Sequence, residues 1–482
     1  MTKKEKLLRY ALGALASLLL AFLILLAALY PTRTLIGGWV YRRGESRLEL
    51  AGEGIRSVRG LKRLEDPQYL DLRDNPLRAE ELLELRAAFP DCDLRCEVPV
   101  EGQRIDSRTD TLTMTELRED VLCLFPRLRT LELRELDLDE AELRALSERH
   151  PALNVVRTRR VVNDVYLSDE STEIDLSGVT GFKLSELNRA LPAFPQLRRI
   201  VLCGCGFDND SLCTFRDSLR DIEVVWDIEL FGKTFLSTDA EIDLSGQWIG
   251  DSAPLEAILP CFSELERVVA CNCGVSDADM DALAKRHGDI RFLWEVHFGV
   301  FHLRTDTTRF LALAWPDGYT WLSDEQLIPL SYCRDMEALD LGHMWFTDTT
   351  FLRDMTHLRW LILADNRIKD ISTLSNLKEL TYLELFLCDV EDISPLLECK
   401  NLKHLNLAYC PVKNAELLAQ LPSLERLWIN GCPVNWDQLT TLRRALPNTQ
   451  IVTFAESSTG AGWRLHPAYY EMRDAFGAEY ME

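Results

Sequence analysis

Apolar residues recur at a fixed period in the C-terminal part of the chain. Leu339, Leu361, Leu383, Leu405 and Leu427 lie 22 positions apart, and a second apolar residue follows each of them two positions later. An apolar pair at i and i+2 predicts a short strand with one buried face. Because a fixed period means that one small unit is stacked repeatedly, the pattern predicts a solenoid whose neighbouring units bury each other's apolar faces.

The repeated segments also share a specific arrangement of leucines. LRWLILADNRI is followed by LTYLELFLCDV, LKHLNLAYCPV and LERLWINGCPV. This arrangement resembles the leucine-rich repeat, and linking segments such as IKDISTLSNLKEL resemble those of bacterial internalin-like surface proteins. The resemblance implies an α/β leucine-rich repeat solenoid, with a parallel β-sheet on the concave face and helices and turns on the convex face. It also implies that the concave face binds other proteins.

The middle of the chain repeats with a longer period. STEIDLSG recurs as DAEIDLSG, and Trp226 recurs as Trp294, both 68 positions later. We therefore predict compound units of about 62–69 residues over residues 46–335. Each unit is expected to hold two strand–helix pairs and a third strand, followed by a turn or a further strand. Residues 336–454 are predicted to hold the regular 22-residue repeats.

The N-terminal part contains an uncharged, strongly apolar stretch at residues 11–30. Twenty helical residues span about 30 Å, the thickness of a hydrocarbon core. We expect a transmembrane signal anchor here, after a short tail at residues 1–10 and before a juxtamembrane linker at residues 31–45. A cleavable signal peptide is the alternative. Basic residues balance on the two sides of the stretch, and we expect a single-pass membrane protein with extracytoplasmic repeats.

Composition and motifs restrict the function. Lys and Arg number 54 and Asp and Glu number 77, which gives a formal net charge of −23. This acidic balance opposes nucleic-acid binding, which needs a basic surface. No nucleophile, metalloprotease or phosphate-loop motif occurs in the sequence. We therefore predict a protein that is not an enzyme and that uses no cofactor.

The fourteen cysteines follow the repeats. Cys388, Cys410 and Cys432 occupy the position that Asn366 holds in the preceding repeat. At this position the resemblance implies a buried side chain that bonds neighbouring backbone groups, which a thiol does weakly. The two C-x-C pairs, which begin at Cys203 and Cys271, lack the spacing of a zinc site, so no metal is predicted.

Aromatic and charged residues flank the buried leucines on the predicted concave face. Strands in a parallel stack lie about 4.8 Å apart, so residues one period apart should form ladders across the sheet. Trp, Tyr and Arg are enriched at binding sites. We predict a partner-binding patch on this face, or else a face that is covered by the C-terminal segment or stabilised only by its own stacking. The residues of the patch are Trp360, Tyr382, Phe386, His404, Arg426 and Trp428.

The repeats stop after Phe454, and residues 455–482 are predicted to form a C-terminal cap. Tyr469, Met472 and Phe476 should then cover the last strand near Ile451; a displayed recognition peptide is the alternative. The function that we expect is a membrane-anchored leucine-rich repeat protein that binds a protein or glycan on its concave face. The alternative is a structural or scaffolding protein of the cell envelope or inner membrane surface that acts through self-association.

Overall fold

The computed structural model describes residues 3–29, 32–312 and 321–477, without the side chains of residues 3–10, 26, 27, 29 and 140. The chain divides into two compact units. The first comprises Met1–Gly206 and Phe215–Val224, and the second comprises Phe207–Thr214 and Val225–Glu482.

The elements up to the end of the first unit are short strands separated by helices. Its sheets have the orders β3-β4-β5, β11-β10-β9-β8 and β12-β13-β14, and β1-β2 and β6-β7 are two-stranded hairpins. The strands are β1 Arg33–Ile36, β2 Trp39–Arg42, β3 Arg47–Glu49, β4 Tyr69–Asp71, β5 Asp93–Arg95, β6 Glu97–Val100, β7 Gln103–Asp106, β8 Thr111–Met114, β9 Thr130–Arg134, β10 Asn154–Val162, β11 Val165–Ser168, β12 Glu173–Asp175, β13 Arg199–Val201 and β14 Glu223–Val225. The α-helices are α1 Lys3–Leu29, α2 Ala79–Ala88, α3 Glu140–Arg149, α4 Leu184–Ala190 and α5 Asn209–Ser218, and 3₁₀ helices cover Leu61–Arg63, Glu119–Leu124 and Leu191–Ala193.

The second unit contains the regular repeats. Its strands are β15 Asp227–Leu230, β16 Lys233–Leu236, β17 Glu241–Asp243, β18 Arg267–Val269, β19 Arg291–Leu293, β20 Glu295–Phe298, β21 Phe301–Arg304, β22 Arg309–Leu311, β23 Ala338–Asp340, β24 Trp360–Ile362, β25 Tyr382–Glu384, β26 His404–Asn406, β27 Arg426–Trp428 and β28 Gln450–Val452. The α-helices are α6 Ala253–Ile258, α7 Asp277–Arg286, α8 Asp324–Leu327, α9 Trp436–Ala445 and α10 Pro467–Phe476, and 3₁₀ helices cover Leu259–Cys261, Ile328–Tyr332, Thr350–Leu352, Ser372–Asn376, Ser394–Glu398, Ala415–Gln420 and Trp463–Leu465.

The regular repeats form one seven-stranded parallel sheet in the order β22 to β28. The strands pair without a slip, so that Leu361, Leu383, Leu405 and Leu427 lie side by side. All four of these leucines are fully buried. Each buried leucine side chain contributes about 1.5–3 kcal/mol of hydrophobic stabilisation. The fixed period therefore sets the register, because a slip would move this row out of the core.

The distance between successive strands decides which element lies between them. Where the strands begin 22 positions apart, as from Trp360 to Tyr382, the connection contains only a short 3₁₀ helix. Where they begin 24 positions apart, as from Arg267 to Arg291 and from Arg426 to Gln450, it contains a ten-residue α-helix. A 3₁₀ helix advances about 2.0 Å per residue against 1.5 Å for an α-helix, so the shorter connection bridges the repeat in a more extended form.

Side chains at the turn after each strand tie neighbouring repeats together. Asn366 donates from Nδ2 to the carbonyl oxygens of Leu341, at 2.8 Å, and of Leu363, at 2.9 Å. At the same position Cys410 donates its thiol to the carbonyl oxygen of Leu385 at 2.9 Å. The cysteines therefore replace asparagine as buried donors to the preceding repeat, as the sequence predicts.

The compound repeats end with a further strand, one of the two elements that the sequence allowed for. In the second of the two compact units, β15 and β16 form a hairpin in which Leu230 pairs with Lys233. The two turn residues, Phe231 and Gly232, both have positive φ, at 48° and 80°. This is the backbone of a type I′ turn, whose twist matches that of the flanking strands.

The N-terminal helix corrects one part of the predicted fold. Residues Lys3–Leu29 form α1, yet no helix in the described parts of the chain is long and apolar enough to cross a membrane. The transmembrane helix predicted at residues 11–30, and the single-pass membrane location predicted from it, are therefore wrong.

The turn position gives a test of the repeat core. Replacing Asn366 by Ala leaves two carbonyl groups and the Met344 amide, which now donates to Asn366 Oδ1, without these buried bonds. Because each buried unsatisfied group costs about 1–3 kcal/mol, we expect Asn366→Ala to lower the free energy of unfolding by about 3 kcal/mol in urea titrations. Cys410→Ala, which removes one weak thiol bond, should lower it by about 1 kcal/mol. Equal losses would contradict this account of the turn.

Candidate functional site

The seven-stranded sheet has two faces: one packs the buried leucines, and the other, called the open face here, points away from them. Because side chains alternate along a strand, the first and third residues of each strand point away from the leucine core. In register across the face, Trp360 pairs with Tyr382, Tyr382 with His404, and His404 with Arg426. A second row beside it contains Glu384, Asn406 and Trp428. The four residues of the first ladder thus lie on neighbouring strands in the predicted order.

The C-terminal segment, residues 455–477, lies on this face. Beneath it, five of the six predicted partner-binding residues have little solvent exposure, while Trp360 is partly exposed. The exposed fractions are 1% for Tyr382, 4% for Phe386, 8% for His404, 2% for Arg426 and 0% for Trp428. The structure therefore brings the predicted patch together and fills it with a segment of the same chain.

Side chains of the face hold the backbone of the C-terminal segment. Four donors each reach one of its carbonyl oxygens, over residues 457–463. Asn430 Nδ2 lies 3.1 Å from the oxygen of Ser457, Asn406 Nδ2 3.0 Å from that of Ser458, Trp428 Nε1 2.9 Å from that of Gly460, and Arg426 Nη2 2.6 Å from that of Trp463. These donors lie on β26, on β27 and just after β27, so residues 457–463 are held over the last strands of the sheet.

Trp463 is the anchor of this segment, and it is fully buried. Its ring packs edge-on against Trp428, with the centroids 5.0 Å apart, and Tyr382 lies 5.6 Å away on another side. Its Nε1 donates to Glu384 Oε1 at 2.8 Å. The Arg426 guanidinium lies 4.2 Å from the ring centroid, which adds a cation–π contact. Sequence reasoning did not place Trp463 in the site; the signal for it was a lone tryptophan in a glycine-containing loop.

Helix α10 lies at the opposite end of the sheet from its predicted position. It packs against β22 and β23 instead of the last strand near Ile451. Met472 joins the buried cluster around Tyr382 and Trp428, with Tyr469 and Phe476 packed beside it. The predicted cover of the last strand by Tyr469, Met472 and Phe476 is therefore wrong. Trp463 already reaches Glu384 on β25, and the chain after it continues to β22 and β23.

A cavity of about 600 Å³ remains between α10 and the first strands of the sheet. Its walls combine apolar side chains with groups of both charges. The lining residues are Leu311, Asp340, Gly342, His343, Ile362, Ala364, Glu384, Phe386, Arg464, Tyr469, Met472, Arg473, Phe476 and Gly477. The cavity has the size of a site for a small molecule or for one or two side chains of a partner.

Burial shifts the pKa values of the ionisable groups on the open face. Desolvation raises the pKa of Asp340 to about 7 and also raises the pKa of Glu384. Burial, and after it the neighbouring charge of Arg426, lower the pKa of His404 to about 4. His404 is thus neutral at pH 7. Among the described residues no group of three or more His, Cys, Asp or Glu is arranged to hold a metal ion.

Comparisons with known proteins agree with this geometry. A family model described as "Leucine Rich repeats (2 copies)" matches residues 356–398 and 400–444. Residues 356–398 and 400–444 are therefore leucine-rich repeats. The leucine-rich repeat prediction is confirmed, and internalins are among the solved structures that this leucine-rich repeat protein resembles. No curated protein matches its sequence.

Three of the similar structures are bacterial. Internalin InlF of Listeria monocytogenes is 16% identical with a TM-score of 0.25, over 87% of this chain and 91% of InlF. A leucine-rich repeat protein of Leptospira interrogans is 14% identical with a TM-score of 0.28, over 84% of this chain and 95% of that protein. The functional domain of InlJ from Listeria monocytogenes, which includes a cysteine ladder, is 14% identical with a TM-score of 0.23, over 85% and 63% of the two chains.

The anchor can be tested by removing it. Trp463→Ala deletes a buried aromatic side chain, a change that typically costs about 3–5 kcal/mol, and should release the C-terminal segment from the face. We expect trypsin to cut the variant after Arg464 at least about tenfold faster than the wild type, because local opening exposes the backbone. Trp436→Ala, at a tryptophan that is 74% exposed, is the matched control. Equal cleavage rates in all three proteins would contradict the anchoring role.

The raised pKa of Asp340 predicts a pH dependence of stability. An unfolded aspartate has a pKa of about 3.9, so between about pH 4 and pH 7 the folded chain binds more protons than the unfolded chain, and stability falls as pH rises. Asp340→Asn removes this term. The variant should therefore gain stability relative to the wild type between pH 5 and pH 8 in urea titrations.

Asp392→Asn is the control for this pH effect. Backbone and side-chain hydrogen bonds lower the pKa of Asp392, so its contribution is complete above about pH 4. The stability difference between Asp392→Asn and the wild type should be the same at pH 5 and pH 8. A constant difference for Asp340→Asn as well would show that its carboxyl group is not desolvated.

Proposed function

We propose that this leucine-rich repeat protein is a non-catalytic binding protein for a protein partner, and that it binds the partner on the open face of the seven-stranded sheet. The binding residues in this proposal are Trp360, Tyr382, Phe386, His404, Arg426 and Trp428. One observation carries the proposal: the face already holds a peptide segment through donors to its backbone carbonyls.

Contacts of this kind suit an extended segment of another protein. Donors that reach backbone carbonyl groups hold a chain whatever its side chains are, and a separate pocket then selects one side chain. On this face the pocket is formed by Tyr382, Arg426 and Trp428 around Trp463. Aromatic residues and arginine in a desolvated pocket are the usual anchors of a protein interface. The resemblance to internalin-like repeats supports the same face.

The C-terminal segment competes with any such partner. Because residues 457–463 occupy the donors of β26 and β27, a partner segment must displace them before it reaches the Trp463 pocket. The cavity beside α10 stays open on the neighbouring strands and gives a partner side chain a first point of contact. The apparent affinity for a partner is then the affinity of the free face multiplied by the fraction of molecules in which the segment is undocked.

A peptide binding experiment tests the proposed face. The receptor is the full-length Trp463→Ala variant, and the probe is a fluorescent synthetic peptide with the sequence of residues 456–466, ESSTGAGWRLH. We expect fluorescence anisotropy to report saturable binding to the variant, because the vacated pocket accepts the tryptophan of the peptide. The wild type, whose face is occupied, should bind at least about tenfold more weakly.

Two controls give the experiment its meaning. The same peptide with alanine in place of tryptophan should lose about tenfold or more in affinity, since it cannot fill the pocket. A second receptor variant with Trp428→Ala added should bind the probe weakly for the same reason. If the Trp463→Ala variant is folded and its C-terminal segment is released, yet the probe does not bind, the face is not a peptide-binding surface.

A further inference from the structure

Arg426 is a buried charge whose bonding capacity is only partly used. Its side chain is 2% exposed, and its guanidinium lies between Trp463 and Trp428, at 4.2 Å and 5.1 Å from the ring centroids. Nη2 donates to the carbonyl oxygen of Trp463 at 2.6 Å. Nε and Nη1 have no hydrogen-bond partner in the described parts of the chain. Three N–H bonds of a buried cation, one on Nε and two on Nη1, thus lack an acceptor among the described residues.

The carboxyl group nearest in the site is engaged elsewhere. Glu384 accepts hydrogen bonds from the Tyr382 hydroxyl and from Trp463 Nε1, and no ion pair joins Glu384 to Arg426 among the described residues. Burial raises the pKa of Glu384, which favours its neutral form. The face therefore does not supply a full counter-charge for Arg426.

Glu425, the neighbour of Arg426 in sequence, pairs with Lys403 Nζ at 3.1 Å, and it acts with Glu471 on His466. His404 is 8% exposed, its Nδ1 has no hydrogen-bond partner in the parts that the structure describes, and its ring lies 5.8 Å from that of His466. Burial and the charge of Arg426 lower the pKa of both histidines. Arg464 belongs to the C-terminal segment and is a further cation. In a chain with a net charge of −23, this is a local site of uncompensated positive charge.

A neutral carbonyl oxygen is a poor match for this site. A buried arginine is stabilised far better by a carboxylate, which accepts two parallel N–H bonds and neutralises the charge. The carbonyl of Trp463 provides one acceptor and no charge. The C-terminal segment is therefore an incomplete ligand, and the positions of Nε and Nη1 show what a better one would add.

We propose that the face accepts an extended segment of a partner protein that places a carboxylate on Arg426, where the carbonyl of Trp463 now lies. The carboxylate is either the C-terminus of the partner chain or an Asp or Glu side chain. The inference rests on the proposed function, since it names the partner chemistry of the same face. Residues 457–463 then act as a neutral occupant that a carboxylate-bearing segment displaces.

Three synthetic peptides test this chemistry on the full-length Trp463→Ala variant. The first is ESSTGAGW, residues 456–463, with a free C-terminal carboxylate, and the second is the same peptide with a C-terminal amide. The free carboxylate falls where Arg426 now meets the Trp463 carbonyl, so we expect it to bind about tenfold more tightly than the amide. The third peptide, ESSTGAGWD with a C-terminal amide, carries a side-chain carboxylate and separates the two sources.

Variants of Arg426 in the Trp463→Ala background complete the test. Arg426→Gln should abolish the preference for the carboxylate, whereas Arg426→Lys should keep part of it, because lysine retains the charge but cannot make two parallel bonds. Release of the C-terminal segment is checked by trypsin cleavage after Arg464. If Trp463→Ala alone does not release it, Met472→Ala is added, since Met472 is 4% exposed in the same cluster.

The outcomes separate the two proposals. If the acid and the amide bind equally, or if the preference survives Arg426→Gln, the carboxylate inference is overturned while the peptide-binding face stands. If neither peptide binds to a folded variant with a released segment, both proposals fail. Tighter binding of the free acid than of ESSTGAGWD assigns the site to a chain terminus, and the reverse order assigns it to an acidic side chain.

Discussion

Every strand of the seven-stranded sheet takes its hydrogen bonds from a strand one repeat away, and this single constraint organises the second unit. The strands are only three residues long, so each depends on its neighbours for its backbone bonds and for the burial of its leucines. Asn366 and the cysteines at its position extend the same dependence to the turns. Because the repeat fixes which residues point to the open face, the core also determines the ladder of Trp360, Tyr382, His404 and Arg426.

The open face is the part of the second unit in which some buried polar groups lack hydrogen-bond partners among the described residues. Within the leucine core every strand position is apolar, but on the face Glu384, Asn406 and Arg426 are buried beneath residues 457–463. Burial of a polar group is tolerated when it is hydrogen-bonded. Asn406 and Arg426 each donate to a backbone carbonyl of the segment, and Glu384 accepts from the Trp463 indole N–H. Arg426 Nε and Nη1 and His404 Nδ1 have no hydrogen-bond partner among the described residues. A face that is covered by the C-terminal segment, yet keeps buried donors without acceptors, is suited to exchange that segment for another ligand.

The sequence predicts the repeated parts of the structure well and the unrepeated parts poorly. The 22-residue period determines the register of β23 to β27, since a residue at a given repeat position meets its equivalent on the next strand. The ladder of candidate residues follows from the same period. The short spacing in the compound units indicated either a turn or a further strand, and the structure forms a further strand in the β15–β16 hairpin.

Outside the repeats no period restricts the chain. Residues 455–477 contain an apolar helix, but nothing in their spacing indicates which end of the sheet it meets, so α10 was expected at β28 and lies at β22 and β23. Trp463 owes its position to contacts with two separate strands, β25 and β27, which no local pattern encodes. The apolar composition of residues 11–30 predicts a membrane span, whereas the described part of α1 does not provide one.

Hydrogen–deuterium exchange of the wild-type chain, followed by mass spectrometry, tests the central claim most directly. The claim is that residues 457–463 are docked on the open face as a stable part of the unit. We predict that peptides covering Ser457–Trp463 exchange far more slowly than an undocked chain, because the segment must first release its four carbonyl contacts and the buried Trp463. Complete exchange of Ser457–Trp463 within seconds, with β25 to β27 still protected, would contradict the account.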